Sequence, residues 1–369
     1  MNQQSLPRRS RRRFPATCPP LARDRTVTTS DGVALSVREY GTHRADHTVV
    51  LLHGLCLSKS SWDLQIAELI RQWGDNLRII AYDHRGHGES ADAPMHTYHV
   101  DRLADDLADV LAALDVTSPL TLAGHSMGGM TALTYLRRTG TDGGIQPHAV
   151  VLVAAAAGKL ATRGVGRLLA TPGLDIVHAL VQHGPHAATD SVVRALTRPL
   201  CAALLRYGVY RHPVREALVT MAAGTINATP LTTKVGFLRG LKHYDQYQNL
   251  GAVTVKTVII GGGADTLIPP AHARDLAAGI LGATLIHQTT AGHMLLHETP
   301  KVVSDAIACA ITDSRPVSID RQAVGAASTP CSQQAPVGGC TGRCLGPVAM
   351  DDPVAAPRQE TANGGWWQS

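Results

Sequence analysis

Pro119-Leu120-Thr121-Leu122-Ala123-Gly124-His125-Ser126-Met127-Gly128-Gly129 is the stretch from which the rest of the chain is read. Its first five residues form an apolar run of strand length, and residues 129–138 are compatible with a helix. Between them stands a Gly-x-Ser-x-Gly pentapeptide, the pattern of a strand–turn–helix elbow that presents a serine. A turn this sharp strains the serine backbone and crowds any Cβ at Gly124 or Gly128. In return the Ser126 Oγ stands at the C-terminal end of a strand, beside a helix N-terminus that favours developing negative charge. The same residues would also make a glycine turn with an incidental serine, so the rest of the chain has to decide.

A serine is a weak nucleophile until a base takes its proton, and the base needs an orienting acid. In this strand–turn–helix setting both are expected downstream, in the order Ser, Asp, His. Residues 255–260 read as a buried strand that runs into Gly261-Gly262-Gly263-Ala264-Asp265, which puts a carboxylate just past a strand end. Residues 283–287 read as another strand, followed by Thr289-Thr290-Ala291-Gly292-His293-Met294. The 28 residues from Asp265 to His293 leave room for one helix, over 271–281, and one strand. The chain has 18 His, so it is this position and order, not the residue type, that singles out His293. His125 is expected to turn its side chain away from the Oγ. His297 is expected inside the following helix, and Asp245 precedes its strand, which ranks it below Asp265.

A tetrahedral intermediate needs two N–H donors for its oxyanion. Met127, the residue after the serine, supplies one. Residues 48–52 form an apolar strand followed by His53-Gly54-Leu55-Cys56, and Leu55 is expected to supply the other. Gly54 lets that loop turn back over the site, and His53 reads as a structural hydrogen-bonder.

Around these pieces the chain alternates strands and helices. An N-terminal hairpin is expected over 26–39, turning at Ser30-Asp31-Gly32. Strands end at Leu52 and span 77–82, 119–123 and 148–153, with helices over 62–73 and 100–114. Alternation of this kind predicts a doubly wound, mostly parallel sheet, with its site beyond the strand C-termini. Residues 154–247 break the pattern with helix-like segments, 166–180 and 191–207 among them, punctuated by Pro172, Pro185, Pro199 and Pro213. They read as a helical cap, whose aliphatic character suits either an apolar acyl pocket or a packed helical face. Residues 1–25 read as a disordered basic arm, 26–312 as one domain, and 313–369 as a disordered tail.

Together, His53-Gly54, Asp83-His84-Arg85-Gly86-His87-Gly88-Glu89-Ser90, Gly124-His125-Ser126-Met127-Gly128-Gly129, Gly263-Ala264-Asp265 and Gly292-His293 resemble the serine hydrolases of the α/β-hydrolase superfamily. The D-x-R-G-H-G-x-S stretch belongs to its single-domain enzymes, where it forms the loop after the fourth strand. The resemblance spans about residues 26–311. It implies an α/β-hydrolase fold with a cap inserted after the sixth strand, over about 155–247. The elbow sequence occurs in monoacylglycerol lipase-like enzymes and in haloperoxidase-like esterases. After His-Gly the monoglyceride lipases continue with a small residue, Gly and Glu, whereas this chain has Leu55-Cys56-Leu57-Ser58. Epoxide hydrolases and dehalogenases carry Asp at the elbow, and Ser126 separates this chain from both.

The expectation is hydrolysis of carboxylic esters, with Ser126 as nucleophile, His293 as base, Asp265 as orienting acid, and no metal or organic cofactor. Its rate should rise with pH as His293 deprotonates, near the ordinary range of about 6–7. An acyltransferase or a perhydrolase would use the same three residues. A non-catalytic binding scaffold would typically lack one of them.

Bulk properties agree with a small-molecule ester as substrate. The net charge is +5, but residues 1–25 hold seven Arg against one Asp, which leaves the remainder at −1. A near-neutral body argues against nucleic acid as a substrate. The basic arm leaves weak contact with an acidic membrane surface open. Arg11-Arg12-Arg13 is followed by prolines and charges rather than an apolar segment, so no signal peptide is expected. The seven Cys are scattered, which fits no zinc spacing and suits a reducing, cytoplasmic setting. Cys56, Cys201 and Cys309 are expected as small buried hydrophobes. Oligomeric state is left open.

Overall fold

The computed structural model describes residues 22–117, 119–142, 144–183, 224, 226 and 228–312. Eight strands form one sheet in the order β1-β2-β4-β3-β5-β6-β7-β8. β1 (Arg23–Thr28) and β2 (Ala34–Tyr40) make the expected antiparallel hairpin, and β2 runs antiparallel to β4 (Leu77–Tyr82). All further pairings are parallel. They join β4 to β3 (His47–Leu52), then β3 to β5 (Leu120–His125), β6 (Ala149–Val153), β7 (Lys256–Gly262) and β8 (Thr284–Gln288) in turn.

Alternate residues of each central strand feed opposite cores, as the period of two requires. In β3, Val50 and Leu52 pack with α2 (Val100–Ala113) and α3 (Met127–Asp142), while Val49 and Leu51 pack with α1 (Asp63–Trp73) and the last helix, α8 (Pro300–Thr312). β3 through β6 are buried along their whole length, which is why they read as continuous apolar runs. Burying one such Leu, Ile or Val stabilises the fold by about 1.5–3 kcal/mol. The sheet is therefore a firm base for the loops above it.

The chain enters the parallel sheet at β3, steps to β4 on one side, and returns to β5 on the other. That reversal puts the loops after β3 and β5 side by side, with Leu52 paired to Gly124. A crevice at such a switch point is where doubly wound sheets place their sites.

Three expectations need correction. The hairpin begins at Arg23, so Arg23, Asp24 and Arg25 belong to a strand and not to the arm. The single helix expected over 166–180 is split into a 3₁₀ segment (Gly164–Ala170) and α4 (Pro172–His183). Thr171, directly before Pro172, is extended at φ −73° and ψ 144°, because the proline ring excludes the helical conformation from the residue before it. Cys56 and Cys309 are half-buried rather than buried. The expected cap helix over 191–207, most of the arm, the tail and Cys201 lie outside the described residues. After β6 the described parts of the cap run to residue 183 and resume, bar two isolated residues, at Ala228, leading into α5 (Leu231–Lys242). No helix among the described residues is long and apolar enough to cross a membrane.

Candidate active site

Ser126 occupies the turn between β5 and α3 with φ 52°, a left-handed conformation that a non-glycine residue adopts only when its surroundings force it. Here the forcing groups are visible. The Ser126 N–H donates to the Val153 carbonyl at 2.8 Å, and the Ser126 carbonyl accepts from Gly129 at 3.0 Å and Met130 at 3.1 Å, opening α3. A Cβ on Gly124 would lie 2.4 Å from the Gly128 carbonyl, and one on Gly128 2.2 Å from the Leu52 carbonyl oxygen. Both glycines of the pentapeptide are thus required by close backbone approach.

Asp265 and His293 come from the loops after β7 and β8, with α6 (Pro270–Gly279) between the two strands, and both are buried. The Asp265 Oδ2 lies 2.8 Å from the His293 Nδ1. Its Oδ1 accepts the N–H groups of Leu267 and Ile268, each at 2.8 Å, so the carboxylate is held while one oxygen faces the ring. That contact makes Nδ1 the protonated nitrogen of a neutral His293 and leaves the lone pair on Nε2. The loops themselves are laced together by backbone bonds, Gly263 N–H to the Gln288 carbonyl and Ala264 N–H to the Ala291 carbonyl.

His125 does more than turn away from the serine. Its Nε2 donates to the His293 carbonyl at 3.0 Å, and the two rings stand 5.0 Å apart. Burial pushes the His125 imidazole well below the usual histidine range, so it is neutral. The elbow and the imidazole loop are therefore joined directly. Among the described residues no hydrogen bond links the Ser126 Oγ to the His293 ring; such contacts in unliganded sites are often long and close on substrate. His297 falls inside the short helix α7 (Leu295–Glu298), and Asp245 is exposed, its carboxylate accepting the Tyr247 N–H; neither joins the site.

The β3 loop meets the elbow from the other side. A Cβ on Gly54 would lie 3.2 Å from the Ser126 Cβ. Among the described residues, neither the Leu55 nor the Met127 amide is engaged by a protein acceptor. His53 is the expected structural hydrogen-bonder: its Nδ1 donates to the Gly54 carbonyl at 2.8 Å, and its Nε2 accepts the His84 N–H at 2.9 Å.

The Asp83–Ser90 loop after β4 serves the scaffold. Asp83 accepts the Lys59 backbone N–H at 2.7 Å and the Lys59 Nζ at 2.6 Å. Arg85, fully buried, reaches Asp106 at 2.6 and 2.7 Å and Asp31 at 2.9 and 3.0 Å. His84, His87 and Arg85 were not singled out by sequence as site neighbours, since their partners lie 21 to 54 residues away.

A packed apolar cluster stands beside these loops. Met127 and Met130 pack with Leu160, with Phe237 and Leu241 of α5, and with Ile268 of the acid loop, and Leu55 lies against them. No group of three or more metal-ligating side chains occurs among the described residues. The arrangement offers a half-buried strand-end hydroxyl, a carboxylate-oriented imidazole tied to the same elbow, two free amide N–H groups and an apolar cluster packed beside them.

Comparison with known proteins agrees with the architecture. A family model described as alpha/beta hydrolase fold matches residues 47–300. The AB hydrolase superfamily protein YisY of Bacillus subtilis (strain 168) is 27% identical over 284 residues, covering 76% of this chain and 97% of its own. A non-heme chloroperoxidase of Burkholderia pyrrocinia is 27% identical over 253 residues, covering 67% of this chain and 84% of its own. Among solved structures, an esterase from Exiguobacterium antarcticum superposes with a TM-score of 0.62 at 23% identity, covering 78% of this chain and 98% of its own.

Proposed function

This chain belongs to the alpha/beta hydrolase fold family, and from that premise we propose that it is a serine hydrolase of carboxylic esters. The observation that carries the reading is the Asp265–His293 contact at 2.8 Å, made by a loop that His125 ties to the serine elbow.

In this reading the Ser126 Oγ attacks the ester carbonyl carbon while His293 Nε2 takes its proton. The carbonyl π electrons move onto oxygen, which the Leu55 and Met127 N–H groups hold. Collapse of the tetrahedral intermediate expels the alcohol, protonated by His293, and leaves an acyl group on Ser126. Water, deprotonated by the same ring, repeats the sequence and releases the acid. Asp265 keeps the ring in the productive tautomer and stabilises the imidazolium. The apolar cluster packed beside the elbow, with the partly buried Leu55 and Leu169 on it, supports an ester with an apolar acyl or alkyl group. Binding against that cluster contributes rate only where it is stronger in the transition state than in the ground state.

A second reading draws on the relatives named chloroperoxidase. With hydrogen peroxide in place of water, the acyl-enzyme would yield a peracid, which oxidises bromide. Fluorophosphonate labelling followed by peptide mapping tests the shared first step: the probe should attach to Ser126. Bromination that requires both acetate and peroxide would favour the perhydrolase branch. A protein that neither labels nor turns over any ester would point instead to a binding scaffold.

A further inference from the structure

The peptide units on either side of Leu55 are each held by a buried imidazole. In a trans peptide the C=O and N–H point in opposite directions. The Gly54 carbonyl and the Leu55 N–H belong to one such unit, so the bond from His53 Nδ1 to the Gly54 oxygen at 2.8 Å also aims the Leu55 N–H away from His53. The next unit joins the Leu55 carbonyl to the Cys56 N–H, and that N–H donates to His87 Nε2 at 3.1 Å. His87 Nδ1 donates to the Arg85 carbonyl at 3.0 Å, which leaves the lone pair on Nε2 and makes the ring an acceptor there.

Cys56 itself has φ 61°. A non-glycine residue in this left-handed region is strained by roughly 1–2 kcal/mol and stays there only where its surroundings hold it, as the bond to its amide does here. The holding ring is rigid. His87 is buried, its centroid lies 5.2 Å from that of His53, and the Phe237 ring of α5 also packs against it at 5.5 Å. A phenyl ring could fill that space, but it has no lone pair for the Cys56 N–H. What the packing leaves to the imidazole is the acceptor nitrogen.

We propose that His87 is a positioning residue for the oxyanion hole: by holding the Leu55–Cys56 peptide it keeps the Leu55 N–H aimed at the point where the oxyanion forms. The inference rests on the acyl-transfer reading above. Burial holds the His87 imidazole down to about 3, so the acceptor is retained at any pH where the fold works.

The test compares His87→Phe, which keeps the ring and removes the acceptor, with His87→Gln, whose side-chain oxygen restores one. On a short-chain p-nitrophenyl ester, His87→Phe should lose roughly 10- to 100-fold in kcat with KM nearly unchanged, below the loss from deleting a donor outright. The inhibition constant of a boronic acid, which forms a tetrahedral adduct on the serine, should rise by the same factor. His87→Gln should regain most of both. If His87→Phe does not fold, His87→Leu carries the same comparison against His87→Gln. A kcat within threefold of the parent, a kcat loss with unchanged boronate affinity, or a Gln variant no better than Phe would each overturn the proposal. A parent protein that neither turns over esters nor labels at Ser126 would overturn the acyl-transfer reading first, before any variant is made.

Discussion

The Nε2 of His125 stands 3.0 Å from the carbonyl oxygen of His293, so the residue preceding the elbow serine holds the loop that carries the imidazole. The two residues are 168 positions apart in the chain and meet because β5 and β8 run parallel in one sheet, so that their C-terminal ends face the same way. Ser126 and His293, the proposed nucleophile and base, are thereby placed by a shared buried bond as well as by their own strands.

Breaking that bond should cost activity more than fold. His125→Phe keeps the ring volume but leaves the His293 carbonyl unpaired, a loss of about 1–3 kcal/mol in stability. A displaced imidazole should lower kcat by roughly 10- to 100-fold. Steady-state kinetics beside chemical denaturation separates the two effects. An unchanged kcat in a folded variant would show that His293 does not depend on His125.

Arg85 should be the most sensitive charge of the scaffold. It and Asp106 are both fully buried and doubly bonded, with Asp31 completing the set. Arg85→Met strands the Asp106 carboxylate in the interior and should destabilise by about 3–5 kcal/mol, measured by urea unfolding. Arg85→Lys keeps the charge but loses the fork geometry, and should fall between. A loss below about 1 kcal/mol would mean that Arg102, 3.4 Å from Asp106, takes over the pairing.

Stability should decline on mild acidification. Burial holds the imidazoles of His53, His84, His87 and His125 below the usual range, His87 at about 3. In the unfolded chain each titrates near ~6.5. Between the two values the unfolded state binds protons that the fold refuses, so unfolding gains as pH falls. For His87, the effect is up to about 1.4 kcal/mol per pH unit over that window, and the other three act in the same direction. The Tm should be at its plateau above pH ~6.5 and drop steeply toward pH ~5. The slope should be shallower in His87→Phe. A flat Tm over that range would contradict neutral buried histidines.

Much of this site was legible in the sequence because its parts are local. Apolar runs of strand length gave β3 through β7, and the glycines around Ser126 announced a turn that close backbone approach then required. Asp265 and His293 are singled out as the candidate acid and base by their place after strands, a placement the sheet has. What escaped were contacts between distant segments. Nothing near His125 signals a carbonyl 168 residues away, and nothing near His87 signals the Cys56 amide. The start of β1 was missed for another reason. Arg23 to Thr26 are all exposed, so the strand shows no inward-facing apolar alternation and its arginines read as a solvated arm. The cap helix was drawn too long because its apolar pattern runs through Thr171-Pro172, where backbone sterics break it.

The most direct measurement is p-nitrophenyl ester turnover, from acetate to palmitate, by the parent protein and by Ser126→Ala. The parent should turn over esters, with a preferred chain length. In Ser126→Ala turnover should fall by several orders of magnitude, to what binding and the oxyanion hole alone supply. Ester turnover that survives in Ser126→Ala would contradict Ser126 as the nucleophile and, with it, the role given to the elbow.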